Sequence, residues 1–300
     1  MTVYLVCEGS ASGLDERVLD ALVVQHHKLS IWMASAGGRR GHGSVRDYIS
    51  NRSSIDVAIS VEDRDYRPKA TASATWSIRS GKRFIWHRHE IENYLLHPRV
   101  VLELFDGFRS LTSSTSSTWA SSLPVTESDV SALLQSLARP LLETHAAEVL
   151  IEELRQKISD KGSVHFSLPR PSRLAGSHMV GQNQWLTALN QEANRLRQIC
   201  NDVAKLPEFE STAIDSRYGS LLAQFQDPGF LASGDYLIDL AGKELLSALC
   251  DHLNGPGVPS GLNQKFVADE LLRHLARIYQ PNVLYNPDDF AELAKILATF

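Results

Sequence analysis

Cysteine is scarce in this chain of 300 residues, and its placement excludes two structural uses of the residue. The three cysteines, Cys7, Cys200 and Cys250, form no CxxC pair, and their number is odd. A zinc ribbon needs paired thiolates at close spacing, so this class of metal site is excluded. An odd and widely spaced set also argues against a disulfide framework and predicts a reducing compartment.

Long apolar runs and a basic N-terminal region are also missing. No apolar run approaches the roughly 18 residues that a membrane-spanning helix needs. The first six residues, MTVYLV, contain no Lys or Arg. We therefore expect neither a transmembrane helix nor a signal peptide, and we predict a soluble, cytoplasmic protein without membrane attachment.

Positive charge is not in excess either. The chain has 30 Lys and Arg residues against 35 Asp and Glu residues, so its net charge is −5 with histidine neutral. This balance excludes nucleic-acid coating driven by bulk charge. It does not exclude a nuclease, because the carboxylates of a nuclease site add negative charge. The hydrophobic fraction of 43% is ordinary for a globular protein and excludes a disordered or collagen-like chain.

The first hundred residues alternate between strand and helix patterns. Short apolar runs predict strands at 3–7, 29–34, 55–61 and 83–86, and apolar residues at helical spacing predict a helix over 14–29. Strands separated by helices indicate βαβ units, so we predict an α/β fold with a mostly parallel sheet. None of these runs alternates cleanly between apolar and polar residues, which predicts that both faces of the sheet are covered.

The composition changes after residue 109. Ten of the thirteen residues from 110 to 122 are Ser or Thr, which is typical of a solvated loop. Beyond this stretch, apolar residues recur at helical spacing. We therefore predict four regions: a core at 1–100, a Ser/Thr-rich loop at 110–128, a helical insertion for docking or dimerisation at 129–234, and a C-terminal element with helices at 235–300.

Carboxylates follow two of the predicted strands where each strand ends. Glu8 comes after the first strand, and Asp63 and Asp65 come after the third at an i, i+2 spacing. In extended backbone this spacing puts both side chains on one face, and ligands bind at the carboxyl ends of parallel strands. Three such carboxylates favour a hard cation, so we predict a Mg²⁺ or Mn²⁺ site. The alternative is that these acids belong to ordinary turns and loops, which their position after two separate strands disfavours.

The order of several short motifs resembles the Toprim domain, the acid-lined fold of topoisomerases, bacterial primases, recombination factors and overcoming-lysogenization-defect (OLD) nucleases. The motifs are VCEG at 6–9, the glycine pair at 37–38, and VEDRDY at 61–66. The segment HEIENYLLHP at 89–98 resembles small Toprim effectors that are encoded beside ABC-type ATPases in phage defence. The segment DLAGKELL at 239–246 is similar to the Gly-Lys-x-Leu-Leu element of that group and of OLD nucleases.

The resemblance implies a Rossmann-like Toprim core with a largely helical insertion and C-terminal helices. It implies that Glu8 is a metal ligand or the general acid/base, and that Asp63 and Asp65 bind Mg²⁺ or Mn²⁺. In the defence group, an ABC-type ATPase holds the Toprim effector, which cuts host transfer RNA once it is released on sensing a phage protein. We therefore expect a metal-dependent nuclease that is toxic when released and is a homodimer when active.

Lys243, Glu90 and Glu92 are further candidates for the site. Lys243 follows Gly242 at a helix start, where it can reach phosphate oxygens as transition-state charge grows, and where backbone N–H groups are free for an anion. The alternative is a surface lysine, although the helix dipole disfavours a cation at this end. Glu90 either joins the acid cluster or pairs with Arg88. Glu92 is an additional candidate, with structural support as its alternative.

Several basic side chains are candidates for phosphate or nucleic-acid contact. The stretch GGRRGHG at 37–43 can approach phosphates closely through its glycines, and a merely solvated loop is the alternative. No GxxxxGK[ST] sequence occurs, so this chain is not expected to hydrolyse ATP through a P-loop. The expected partner would supply that activity. The candidates for phosphate contact are Arg39, Arg40, Arg64, His87 and His89.

Two other functions stay open at the level of the sequence. An OLD-like DNA endonuclease would use the same acids, and the sequence does not separate RNA from DNA as the substrate. A noncatalytic Toprim interaction module belongs to a different class of protein, and the intact acids Glu8, Asp63 and Asp65 argue against it.

Overall fold

The computed structural model contains a four-stranded, all-parallel β-sheet, which confirms the predicted α/β class. The strands are β1 (Val3–Cys7), β2 (Trp32–Ser35), β3 (Val57–Glu62) and β4 (Arg83–Ile85), in the spatial order β2-β1-β3-β4. The structure describes residues 2–9, 11–37, 41–52, 56–67, 83–112, 119–162, 182–254 and 262–300.

The register brings the carboxyl ends of β1, β3 and β4 to one edge of the sheet. Val6 of β1 pairs with Ser60 of β3, and Glu62 at the end of β3 pairs with Ile85 at the end of β4. All six residues of β3 and four of the five in β1 are buried. The central strands are therefore covered on both faces, as their apolar sequences predict.

Helices form most of the rest of the described chain. The predicted helix over 14–29 is present, but it changes to a π-helical segment at Asp20–Gln25. Short 3₁₀ turns lie at Ala120–Ser122, Arg139–Leu141 and Pro207–Phe209. The helices are α1 (Leu14–Leu19), α2 (Gly41–Arg52), α3 (Glu92–Leu95), α4 (Pro98–Thr112), α5 (Glu127–Ala138), α6 (Leu142–Lys161), α7 (Gln182–Val203), α8 (Ser211–Gln226), α9 (Pro228–Ala232), α10 (Tyr236–Asp239), α11 (Gly242–Leu253), α12 (Gln264–Ile278) and α13 (Asp289–Leu297).

Helix α2 covers part of one face of the sheet. Val45 and Ile49 lie one helical turn apart, so they share the side of the helix that faces the strands. They pack with Val6 of β1, Ala58 of β3 and Ala34 of β2. Full burial of an aliphatic side chain of this kind contributes about 1.5–3 kcal/mol, so this contact fixes the helix against the central strands.

The chain divides into two compact units. The first contains Met1–His145 and Gln226–Phe300, and the second contains Ala146–Phe225. The second unit is thus shorter at both ends than the predicted insertion at 129–234. Helix α5 belongs to the first unit because Val130, Leu134 and Ala138 form a buried stripe, and this helix packs against α4.

The second unit is built from helices, as predicted for this part of the chain. Two ion pairs connect its elements: Glu153 of α6 with Arg217 of α8, and Lys157 of α6 with Glu208 of the 3₁₀ turn. All four side chains are substantially exposed. Exposed pairs of this kind add little to stability.

Other features predicted from the sequence have mixed outcomes. Helix α4 extends through Thr112 and a 3₁₀ turn occupies Ala120–Ser122, so both ends of the Ser/Thr-rich stretch are helical, and residues 113–118 lie outside the described residues. Within the described chain, no helix is both long and apolar enough to cross a bilayer. All three cysteines are free thiols.

Candidate metal centre

Three carboxylates come together beyond the carboxyl ends of β3 and β4. Oxygen atoms of Asp63, Asp65 and Glu90 all lie within 4.8 Å of one another. The two aspartates follow β3 directly, and Glu90 lies in the loop between β4 and α3. A six-coordinate Mg²⁺ has metal–oxygen bonds of about 2.1 Å, so oxygens on its opposite sides are about 4.2 Å apart. This triad can therefore bind a divalent cation after a small closure.

Asp65 enters the triad through a turn. Its φ angle is 50°, in the left-handed region that non-glycine residues rarely adopt. Its backbone N–H donates to the carbonyl oxygen of His89 at 2.9 Å, and the guanidinium of Arg67 lies 3.9 Å from its carboxylate. The i, i+2 spacing of Asp63 and Asp65 predicts that extended backbone puts both side chains on one face. In the structure, the left-handed turn brings the two carboxylates together instead.

Glu90 joins the acid cluster and is held there by Lys243. The backbone N–H of Lys243 donates to Oε2 of Glu90 at 2.9 Å, and its Nζ donates to Oε1 at 3.2 Å. The same Nζ lies 3.9 Å from Oδ2 of Asp63. This N–H belongs to the first turn of α11, where no intrahelical acceptor exists. The anion at this helix start is therefore a carboxylate of the chain itself, and the helix dipole stabilises it.

Arg88, the alternative partner of Glu90, occupies a different environment. Its guanidinium lies over the rings of Tyr94 and Tyr285, 5.2 and 5.1 Å from their centroids. One of its nitrogens, Nη1, donates to the carbonyl oxygen of Leu237 at 2.9 Å. Cation–π contacts of this kind stabilise a desolvated arginine. Arg88 therefore fixes the loop that carries Glu90 to the C-terminal part of the first unit.

Two further acids, Asp15 and Glu92, border the triad. Asp15 lies in the first turn of α1 and accepts a hydrogen bond from the backbone N–H of Gly9. Burial raises the pKa of Asp15, against the lowering effect of Lys243. Asp15 is not among the site residues predicted from the sequence. The sequence signal for it is an acid in the first turn of α1, the helix that follows β1.

The acid cluster has more negative charge than Lys243 offsets. Burial raises the pKa of Asp63 well above its ordinary value; Lys243 lowers it, and the carboxylates of Asp15, Glu90 and Glu92 raise it again. For Lys243, burial of the ammonium lowers the pKa, but Glu92, Glu90 and Asp63 reverse that effect and make the net shift upward. Oxygen donors with excess negative charge are the chemistry that Mg²⁺ and Mn²⁺ prefer. The residues present therefore fit a divalent cation.

Glu92 makes the stability of the metal-free protein depend on pH. Its side chain is buried, and Oε2 has no hydrogen-bond partner in the part of the chain that the structure describes. Burial raises the pKa of Glu92 from 4.5 to about 7, with Lys243 opposing the rise and Glu90 adding to it. A carboxyl group whose pKa is higher in the folded protein than in the unfolded chain stabilises the fold fully at a pH below the unfolded-chain value. That stabilisation is lost as the pH rises through the pKa of the group in the folded protein.

We predict that Glu92→Gln stabilises the metal-free protein at pH 8 but not at pH 4.5. The expected difference is about 3 kcal/mol, because each pKa unit corresponds to 1.36 kcal/mol. Urea unfolding of both proteins in EDTA across this range measures it. Histidines with lowered pKa values, such as His89 and His97, change both curves alike, so only the difference between the proteins is diagnostic. A constant difference across the range would contradict the assignment.

Gly242 is required by a close approach between the two segments that form the centre. A Cβ atom at this position would lie 2.7 Å from both the backbone nitrogen and Oδ1 of Asn93. Asn93 is itself fixed, since its Nδ2 donates to the carbonyl oxygen of Leu240 at 2.9 Å and its Oδ1 accepts from the N–H of Glu90 at 2.9 Å.

We predict that Gly242→Ala destabilises the protein by about 1–3 kcal/mol, as overpacking does, and moves Lys243 away from Glu90. Gly219→Ala is the matched control, because Gly219 lies on the exposed side of α8 and its added Cβ meets no atom within 4 Å. The control variant should gain up to about 1 kcal/mol from helix propensity. Thermal unfolding measures the stability of both variants. Equal changes in stability for Gly242→Ala and Gly219→Ala would show that the close approach at Gly242 does not constrain packing.

The other predicted site residues are not part of the triad. Glu8 follows β1 at the same edge of the sheet and is half-buried, but its carboxylate is not among the three that come together. His87 is half-buried, and its backbone N–H donates to Oδ2 of Asp289 at 2.6 Å. Arg39 and Arg40 lie outside the described residues.

Arg64 and His89, which the sequence offers as candidates for phosphate contact, are both buried. The guanidinium of Arg64 forms an ion pair with Asp239 at 2.7 Å. The ring of His89 packs edge-on against Tyr66, with the centroids 4.6 Å apart. Burial lowers the pKa of His89 to about 3, so the ring is neutral. The basic character of Arg64 and His89 does not reveal that their side chains are buried.

No protein-family model matches the chain, and no curated protein matches it either.

Proposed function

We propose that the chain is a metal-dependent nuclease of the Toprim type and the toxic effector of a phage-defence system. The observation that carries this proposal is the triad of Asp63, Asp65 and Glu90 with Lys243 against it, at the carboxyl edge of a parallel sheet. Metal-binding carboxylates and a lysine in one cluster supply charge stabilisation of the kind that metal-dependent phosphodiester cleavage uses.

The proposed roles follow from the positions of the side chains. Asp63, Asp65 and Glu90 hold Mg²⁺ or Mn²⁺, which screens the phosphodiester charge and activates the attacking oxygen when it is bound. The side chain of Lys243 is 57% exposed, so Nζ can turn to a phosphate oxygen while its backbone N–H stays on Glu90. Glu8 lies at the same edge of the sheet and is the proposed proton-transfer residue.

The defence role is supported by the two segments that resemble ATPase-linked Toprim effectors. These segments, 89–98 and 239–246, contact each other directly through Glu90 and Lys243, which are 153 residues apart in the chain. Their contact supports the view that both belong to one site. By the same resemblance, we propose transfer RNA as the substrate, an ABC-type ATPase as the restraining partner and a homodimer as the active form.

A cleavage assay tests this function. The purified protein is incubated in Mg²⁺ with transfer RNA and with duplex DNA, in the presence and absence of the ABC-type ATPase that is encoded beside it. We expect cleavage of transfer RNA by the free protein and suppression by the ATPase, with light scattering showing a dimer only in the free state. Cleavage of DNA alone would replace the proposed substrate with that of an OLD-like endonuclease. Cleavage of neither substrate would favour a noncatalytic interaction module and overturn the proposal.

We predict that Lys243→Ala lowers kcat by about 10²–10³-fold, as the loss of a transition-state charge contact does, and leaves KM nearly unchanged. Lys295→Ala is the control, because Lys295 is an exposed lysine in the last turn of α13. Steady-state kinetics on the cleaved substrate separate the two constants. A change confined to KM would show that Lys243 contributes binding rather than transition-state stabilisation.

A further inference from the structure

Arg64 stands between the two metal-site aspartates in sequence, yet its side chain is only 5% exposed. Its Nε donates to the carbonyl oxygen of His87 at 2.9 Å, and Nη1 donates to that of Arg67 at 2.6 Å. Its Nη2 donates to the carbonyl oxygen of Ile238 at 3.0 Å and to Oδ1 of Asp239 at 2.7 Å. Every nitrogen of the guanidinium therefore donates to a protein acceptor.

These acceptors belong to the three chain segments that build the candidate metal centre. The segment after β3 carries the two aspartates, the segment after β4 carries Glu90, and the segment before α11 leads to Lys243. Backbone bonds run parallel to the Arg64 contacts: the N–H of Asp65 donates to the carbonyl of His89, and the N–H of His89 donates to the carbonyl of Ile238 at 2.8 Å. The side chain of Arg64 therefore joins all three segments.

The contact with Asp239 gives this arrangement its charge balance. A buried guanidinium needs a counter-charge and satisfied donors to remain in the interior, and Asp239 supplies the carboxylate from 175 residues away in the chain. Asp239 ends α10, four residues before Lys243. The ion pair thus sets where α11 begins relative to Asp63, Asp65 and Glu90.

We propose that Arg64 is a positioning residue, which through its ion pair with Asp239 fixes Lys243 against the three carboxylates and does not contact the substrate. The proposal rests on the proposed function for its catalytic consequence. The position of Lys243 against Glu90 is a property of the metal-free protein, so the proposal also has a readout that is independent of metal binding and catalysis.

Two conservative variants test the proposal: Arg64→Lys, which keeps the charge but loses the forked donors, and Asp239→Asn, which keeps an acceptor but loses the charge. The metal-free readout is labelling of Lys243 by an amine-reactive ester in EDTA, measured by peptide mass spectrometry. In the wild type, Nζ of Lys243 lies 3.2 Å from Oε1 of Glu90 and 3.9 Å from Oδ2 of Asp63, and these contacts restrict its approach to the ester. We expect labelling of Lys243 to rise several-fold in both variants, because a displaced lysine side chain leaves these contacts and reaches the reagent.

The second readout is the affinity for Mn²⁺ together with the kinetic constants. Loss of an outer partner of a metal site typically weakens affinity or activity by about 10–100-fold, so we expect both variants to lose affinity and kcat in this range. KM and the salt dependence of substrate binding should not change. Glu103→Gln is the matched control, because Glu103 of α4 pairs with Arg277 of α12 in the same unit, away from the centre. Its Lys243 labelling and Mn²⁺ affinity should equal those of the wild type.

The outcomes that overturn the proposal are distinct from failure of the proposed function. If Lys243 labelling is unchanged in folded variants, or if both variants unfold, Arg64 has a purely structural role. Either result would overturn the proposal that Arg64 positions Lys243. Weaker substrate binding with a salt slope reduced by about one unit would identify Arg64 as a phosphate contact. A wild type that binds no Mn²⁺ would end the metal-dependent function, and the labelling would still decide the role of Arg64.

Discussion

Asp63→Asn should abolish cleavage while leaving the fold intact and more stable. Asp63 belongs to the triad, and the neutral amide removes one anionic ligand without changing the shape of the side chain. We expect the rate to fall by more than about 1,000-fold, which corresponds to about 4 kcal/mol of activation free energy. The fold should gain stability at pH 8, because burial and neighbouring acids make the ionised form of Asp63 unfavourable.

A cleavage assay combined with urea unfolding measures both effects. Asp47→Asn is the matched control, because the side chain of Asp47 is 71% exposed on α2 and lies outside the triad. A folded Asp63→Asn protein that cleaves at the wild-type rate would remove the triad from the mechanism. Glu8→Ala belongs in the same series, and loss of cleavage with retained Mn²⁺ binding would give Glu8 the proton-transfer role.

Removal of divalent metal should eliminate cleavage and lower the stability of the wild type. Because Asp63, Asp65 and Glu90 supply oxygen ligands, Mg²⁺ or Mn²⁺ should restore activity after EDTA treatment, and Zn²⁺ should not be required. A cation that binds only the folded state at 100 times its Kd stabilises that state by about 2.7 kcal/mol. We therefore expect Mg²⁺ to raise the Tm of the wild type and to leave that of Asp63→Asn unchanged.

Thermal unfolding with and without Mg²⁺, run beside the cleavage assay, tests this prediction. Asp47→Asn again serves as the control and should respond to Mg²⁺ like the wild type. Undiminished cleavage in excess EDTA would contradict a carboxylate–metal mechanism. An equal rise in Tm for Asp63→Asn would place the bound ion elsewhere on the chain.

The sequence predicts the part of this structure that depends on local patterns. Short apolar runs with helix-patterned segments between them predict the four parallel strands. Acids at the ends of these runs predict that Asp63 and Asp65 lie at the carboxyl edge of the sheet. Lys243 is a candidate because it follows Gly242 at a helix start, and Glu90 is a candidate because it can join the acid cluster. The strands and the acids at their ends are visible in sequence because spacing and residue type determine them. The contact between Glu90 and Lys243 is not, because it joins residues 153 positions apart.

The remaining features depend on burial and on contacts between distant segments. Arg64 pairs with Asp239 across 175 residues, and no local pattern distinguishes such a buried arginine from a phosphate-binding one. The left-handed turn at Asp65 and the contribution of Asp15 arise from tertiary packing. The second unit begins at Ala146, and α5 belongs to the first unit because its buried stripe packs on α4, which composition alone does not reveal.

Titration of the purified protein with Mn²⁺ at pH 7.5, with free Mn²⁺ measured by electron paramagnetic resonance, shows whether Asp63, Asp65 and Glu90 bind a divalent cation. We expect that the wild type and Asp47→Asn remove Mn²⁺ from solution, that Mg²⁺ competes for the same site, and that Asp63→Asn leaves Mn²⁺ free. Wild-type protein that leaves all Mn²⁺ free, or Asp63→Asn protein that binds it as tightly as the wild type, would contradict a divalent cation site at Asp63, Asp65 and Glu90.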